Sequence, residues 1–123
     1  MTGRVLLIED EPHIAEAIRF ILGRQGWDVT VQVDGPAGLR AVSDIAFDLV
    51  ILDLMLPGMS GMDILHQLRA DPGTRSLPVM MLTAKGQGRD REAATRAGVS
   101  AFMTKPFANA DMVAAVRALI GAA

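Results

Sequence analysis

The feature that most constrains this chain is an unbroken apolar run ending in a carboxylate: Leu49-Val50-Ile51-Leu52, then Asp53. Four apolar, mostly branched residues without alternation describe a strand buried on both faces, as in a parallel sheet. The turn residues of Leu54-Met55-Leu56-Pro57-Gly58 then break it. Asp53 is therefore expected at the carboxyl end of a buried strand, the edge of open α/β sheets where ligands bind. Position alone also fits a helix cap or a solvated loop acid, and the rest of the chain has to decide.

The pattern recurs. Val5-Leu6-Leu7-Ile8 runs into Glu9-Asp10-Glu11, Val79-Met80-Met81-Leu82 into Thr83, and Ala101-Phe102-Met103-Thr104 into Lys105-Pro106-Phe107. Trp27 to Val31 alternates apolar and polar residues, which predicts an edge strand with one wet face. Helical spacing fills the intervals. Pro12 opens a first helix with Ile14, Ala17, Ile18, Ile21 and Leu22 on one face, and Gly23 and Gly26 bracket its end. The turn Asp34-Gly35-Pro36 leads to a short second helix around Leu39, Val42 and the alanine between them. Ser60-Gly61 precedes a third, with Met62, Leu65 and Leu68 inward, and Asp71-Pro72-Gly73 stops it. Arg89 to Ala97 is a polar, alanine-rich helix closed by Gly98. Asn109 is expected to cap a last helix carrying Met112, Val113, Val116, Leu119 and Ile120. Five strands alternating with five helices call for an α/β fold with a parallel sheet and right-handed crossovers. No linker interrupts the 123 residues, so one domain over residues 1–123 is expected.

Composition excludes several classes. Half of the residues are hydrophobic, enough for a real core, and 12 basic against 14 acidic residues give a net charge of -2. That balance gives no reason to expect nucleic-acid contact. With 0 cysteines there is no disulfide framework, thiolate nucleophile or cysteine metal site. The first apolar run is too short for a signal peptide or a membrane span, so a soluble cytoplasmic domain is expected.

Glu9-Asp10, Asp53, Thr83 and Lys105 each follow a strand, so all should meet on one sheet edge. Three carboxylates crowded there repel one another. A hard divalent cation such as Mg²⁺, with its preference for oxygen ligands, relieves that repulsion. A lysine can pair with a carboxylate or a phosphoryl oxygen, and the Thr83 hydroxyl can donate to the same oxygen. A carboxylate nucleophile, a metal, a cation and a hydroxyl are what phosphoryl transfer needs.

On these residues the sequence resembles the receiver domain of two-component response regulators, a CheY-like family. The resemblance covers nearly the whole chain. It rests on Glu9-Asp10, on Asp53 within Leu52-Asp53-Leu54-Met55-Leu56-Pro57-Gly58, on Thr83-Ala84 and on Lys105-Pro106-Phe107, in that order and each after a predicted strand. It implies a flavodoxin-like (βα)5 fold, a doubly wound parallel sheet of strand order 2-1-3-4-5. It also implies roles. Asp53 accepts a phosphoryl group from a sensor histidine kinase or a histidine phosphotransfer protein. Asp10 holds Mg²⁺ (or Mn²⁺) directly, Glu9 through water, Asp53 as a ligand and Met55 through its backbone carbonyl. Lys105 pairs with Asp53 and then with the phosphoryl oxygen, and Thr83 swings onto the phosphoryl group. Phe102 turns inward behind Thr83. The bond before Pro106 is cis, a form an X-Pro bond takes at modest cost. The surface of the fourth helix, fifth strand and fifth helix then changes shape and controls a downstream protein. The domain catalyses only its own phosphorylation and dephosphorylation, without touching nucleic acid or membrane, as a monomer or a phosphorylation-dependent dimer.

Bland readings stand beside these. Thr83 alone is most simply a strand-end hydroxyl, Lys105 a snorkelling lysine, Phe102 a core residue and Met80-Met81 core filler. Glu11 fits a solvated acid near a helix start. His13 and His66 should be solvated, and no metal-ligand spacing connects them. A haloacid-dehalogenase-type phosphatase would want a second Asp two residues after the nucleophile, where Met55 stands. An FMN carrier would want a hydroxyl- and glycine-rich loop where Glu9-Asp10-Glu11 stands. A receiver-like module that binds partners without phosphorylation fits poorly with the full set of acids, Thr83 and Lys105. Winged-helix relatives tend to carry an acid pair before the switch aromatic and a basic residue in the fifth helix. Ser100-Ala101 and Ala115 occupy those places here. A stand-alone regulator is therefore the expectation, with a receiver excised from a larger DNA-binding response regulator as the alternative. Met55 and Lys85 are expected to flank the path of the water that hydrolyses the phosphorylated form.

Overall fold

The computed structural model describes residues 3–84 and 88–120; Lys85 lies outside them. Ten elements alternate: β1 (Arg4–Ile8), α1 (Pro12–Gly23), β2 (Asp28–Gln32), α2 (Gly35–Asp44), β3 (Leu49–Asp53), α3 (Gly61–Ala70), β4 (Val79–Thr83), α4 (Gly88–Arg96), β5 (Ala101–Thr104) and α5 (Asn109–Ile120). All strand pairs are parallel, and their order is β2-β1-β3-β4-β5. This is the flavodoxin-like doubly wound sheet that the sequence resemblance implies.

The unbroken apolar runs have the expected cause. β3 and β4 are buried at every residue. Side chains alternate across the sheet. Leu6, Ile8, Val50, Leu52, Val79 and Met81 feed one core with α2, α3 and Ala94 of α4. Val5, Leu7, Leu49, Ile51, Met80 and Leu82 feed the other with α1 and α5. Both faces of the central strands are dry, so no alternation is visible in their sequence.

The differences lie at helix registers and ends. Pro12 does open α1, but Glu11 is its cap: the Glu11 side chain accepts from the His13 N–H. Ala15, Ile18 and Leu22 are buried, whereas Ala17 is exposed. In α3 the inward residues are Gly61, Ile64, Leu65 and Leu68, and Met62 is only half-buried. α2 turns Gly35, Gly38 and Ala41 inward, and a Cβ on Gly38 would collide with Ile8. Leu39 and Val42 only flank that core. Asn109 is the first residue of α5, not its cap; the Ala108 carbonyl accepts from Met112. β2 starts at Asp28, after Trp27, and is half-buried along Val29–Gln32 rather than cleanly one-sided.

Candidate functional site

The parallel register brings the strand ends together on one edge. Ile8 pairs with Leu52, so Glu9 follows β1 beside Asp53, and Asp53 pairs with Leu82, one residue before Thr83. Thr83 pairs with Thr104, one residue before Lys105, whose N–H reaches the Thr83 carbonyl at 2.7 Å. The Lys105-Pro106 peptide is cis, as expected.

Carboxylate oxygens of Glu9, Asp10 and Asp53 lie within 4.8 Å of one another. Glu9 and Asp53 are buried and Asp10 is exposed. Lys105 Nζ donates to Glu9 Oε1 at 2.7 Å and to Asp53 Oδ2 at 3.2 Å. The Met55 N–H donates to Asp53 Oδ1 at 3.1 Å, so both Asp53 carboxylate oxygens are held. Glu9 is oriented by the Glu11 N–H on its Oε2. The backbone beneath Asp53 is fixed too. Gly61 N–H bonds the Leu54 carbonyl at 2.9 Å, and a Cβ on Gly61 would sit 2.8 Å from the Leu54 Cα. Only glycine lets α3 start so close to the loop behind Asp53.

The electrostatics are lopsided. Burial pushes the Glu9 carboxyl above its ordinary value; the Lys105 hydrogen bond pulls it back only in part, and Asp53 beside it adds to the rise. Burial works against the Lys105 charge, but the hydrogen bond to Glu9 and the charges of Asp53 and Glu9 outweigh it and raise its pKa. Lys105 gains from two carboxylates at once, whereas Glu9 shares its lysine with a second acid. Three carboxylates facing one ammonium leave excess negative charge, and their donors are all hard oxygens. This donor set fits Mg²⁺.

The structure thus brings Glu9, Asp10, Asp53, Thr83 and Lys105 to one rim. Thr83 is fully buried at the end of β4. Met55, two residues after Asp53, is 72% exposed. Phe102 is half-buried on β5, paired with Met81. Alternation puts Met81, Thr83 and Phe102 on the same face of the sheet. His13 and His66 are exposed and outside the cluster. Sequence reasoning missed that Lys105 lies nearer to Glu9 than to Asp53. It also missed the Glu11 cap, for which Glu11-Pro12 at a helix start was a usable signal.

A family model, response regulator receiver domain, matches residues 5–117. The chain belongs to that family. As a receiver of two-component systems it is 40% identical over 116 residues to the sensory transduction protein RegX3 of Mycobacterium tuberculosis, a match covering 94% of this chain and 50% of the relative. It is 42% identical over 118 residues to the DNA-binding response regulator MtrA of Mycolicibacterium smegmatis, covering 96% and 50%. The receiver therefore spans about half the length of the curated relatives it matches. Among solved structures it is similar to the receiver domain of a sensor histidine kinase from Pseudomonas aeruginosa, with TM-score 0.90, 30% identity and coverage of 99% and 100%. That structure has a magnesium ion coordinated in its active site cleft. No helix among the described residues of the receiver is long and apolar enough to cross a membrane.

Proposed function

We propose that the receiver, as one unit over residues 1–123, accepts a phosphoryl group on Asp53 from a phosphohistidine of a sensor histidine kinase or a histidine phosphotransfer protein. The observation that carries this reading is Lys105 Nζ, 3.2 Å from Asp53 Oδ2 and 2.7 Å from Glu9 Oε1, in a cluster completed by Asp10. An Asp53 oxygen attacks phosphorus, the bond from phosphorus to the histidine nitrogen breaks, and the imidazole leaves with the electron pair. The product is an acyl phosphate. The Met55 N–H and Lys105 orient the carboxylate for attack. Lys105 then follows the new charge onto a phosphoryl oxygen, and the Thr83 hydroxyl donates to another. Glu9, Asp10, Asp53 and the Met55 carbonyl would hold Mg²⁺, or Mn²⁺. When bound, that ion supplies the positive charge the three carboxylates and the phosphoryl oxygens lack.

A phosphoryl group adds roughly -1.5 to -2 charge and three acceptors. Drawing Thr83 inward leaves space for the Phe102 ring, and the α4-β5-α5 surface changes shape for a downstream protein. The receiver acts in the cytoplasm, catalyses only its own phosphorylation and dephosphorylation, and makes no direct nucleic-acid or membrane contact itself. It is a monomer or a phosphorylation-dependent dimer. A second reading is supported by the half-length match to a DNA-binding regulator: the chain is the receiver part of a longer transcription factor. Finding the genomic reading frame continuing past Ala123 into a DNA-binding domain would select it over a stand-alone regulator.

Incubation with acetyl phosphate and Mg²⁺, read by intact mass, tests the main claim. One phosphoryl adduct is expected, absent from Asp53→Ala and from protein in chelator. An adduct that survives Asp53→Ala would refute it.

A further inference from the structure

α4 is held to the body by little. Its sequence, Gly-Arg-Asp-Arg-Glu-Ala-Ala-Thr-Arg, offers a single fully buried side chain, Ala94. Its residue Arg91 projects over β5 instead. The Arg91 guanidinium carbon lies 4.9 Å from the centroid of the Phe102 ring, inside the range in which a cation over an aromatic face is attracted by the ring quadrupole. Among the described residues no carboxylate lies within ion-pair distance of Arg91, so its contact with the ring is not shared with an acid. Phe102 itself is half-buried, with part of its ring against the α2–α3–α4 core and part open. It shares that sheet face with Thr83, one strand over and two register positions further toward the carboxyl edge.

We propose that Arg91 is a latch: by stacking on Phe102 it keeps the ring half-exposed, fastens α4 to β5, and biases the receiver toward its unphosphorylated arrangement. The inference rests on the phosphoacceptor reading above and names a regulator of it. For the ring to turn into space vacated by Thr83, it must leave the guanidinium. The latch therefore stabilises one of two states, and removing it shifts the population toward the other. An exposed cation–π contact corresponds to about a two- to five-fold bias, and the apparent affinity for a phosphoryl group rises by at most that factor. Arg91 touches no reacting atom; it acts through Phe102 as a positioning residue.

Two measurements on the full chain test this. The first is titration with beryllium fluoride, a phosphoryl mimic, in the presence of Mg²⁺. Arg91→Ala should bind it about two- to five-fold more tightly than wild type, and Arg91→Lys should fall between. In the Phe102→Leu background, which keeps an apolar side chain but no ring, Arg91→Ala should change nothing further. The second is hydrogen exchange of the α4 amides without any phosphoryl mimic, expected to speed up by a similar factor in Arg91→Ala. Equal affinity in Arg91→Ala and wild type, or the same gain without the ring, overturns the latch and leaves the phosphoacceptor reading standing. Unchanged α4 exchange in Arg91→Ala overturns the latch by itself. A wild type that takes up no mimic overturns both.

Discussion

Lys105 must neutralise more charge than it carries, and this shapes how the site titrates. The folded protein holds the Lys105 proton more tightly than the unfolded chain, whose ordinary value is 10.5. Its pairing therefore contributes stability that is fully present below that value and fades as pH rises through the higher folded-state value. The chain has no tyrosine and one other lysine, Lys85. Lys105→Gln should be less stable than wild type in urea at neutral pH, with the difference shrinking as the solution becomes strongly alkaline. A constant difference would contradict the pairing. Glu9 is also raised, from 4.5. In magnesium-free protein, acidification from neutral pH through its folded-state value should add stability, an effect complete once the unfolded chain is protonated as well. At the same scale, the exposed Met55 side chain is expected to hinder the hydrolysing water. Met55→Asn should lose its phosphoryl group faster than wild type in a decay time course, and an equal or slower decay would remove Met55 from that role.

At the scale of elements, the helices hold on by contacts of different kinds. α3 reaches across the fold through Arg69, which donates to the carbonyls of Gly98 at 2.8 Å, Leu77 at 2.8 Å and Thr74 at 3.3 Å. Burial lowers the Arg69 pKa. One side chain thus ties the turn before β5 to the loop before β4. Hydrogen bonds to a charged donor contribute about 1.5–3 kcal/mol, so Arg69→Ala should cost on that order in urea unfolding. A loss within about 0.5 kcal/mol, the size of an ordinary surface change, would contradict the clasp. Gly61 places the start of α3 against the backbone after Asp53, and Gly61→Ala should destabilise by about 1–3 kcal/mol through overpacking. A Gly61→Ala protein as stable as wild type would show that α3 has room to retreat.

These elements also mark what the sequence could tell. The strands were legible because burial on both faces removes alternation, and Pro12, Gly98 and Asp71-Pro72-Gly73 act within a few residues of where they stand. Ala17 reads as inward because alanine scarcely marks a helix face, yet Ala15, two residues earlier, is the buried one. The inward face of α2 consists of Gly35, Gly38 and Ala41, small residues that leave no hydrophobic stripe in the sequence. The Arg69 clasp and the Arg91 stack join positions far apart in the chain through side chains that read as solvated charges. No local pattern announces them. Ser100, where winged-helix relatives tend to carry an acid, accepts from the Val79 N–H at 3.0 Å and so anchors the start of β5.

For the whole molecule, the doubly wound sheet is the device that makes distant residues neighbours. Glu9, Asp53, Thr83 and Lys105 sit at the ends of four parallel strands, and the register of those strands sets their spacing. The same sheet carries the edge strand β5, where Phe102 pairs with Met81, two residues before Thr83. The measurement that bears most directly on this account is chemical mapping of the phosphorylated residue. After reaction with acetyl phosphate and Mg²⁺, borohydride reduces an acyl phosphate on aspartate to homoserine, which tandem mass spectrometry locates. The account predicts reduction at position 53 alone. Reduction at Asp10, or a stable phosphoryl group on His13 or His66 with position 53 intact, would contradict it.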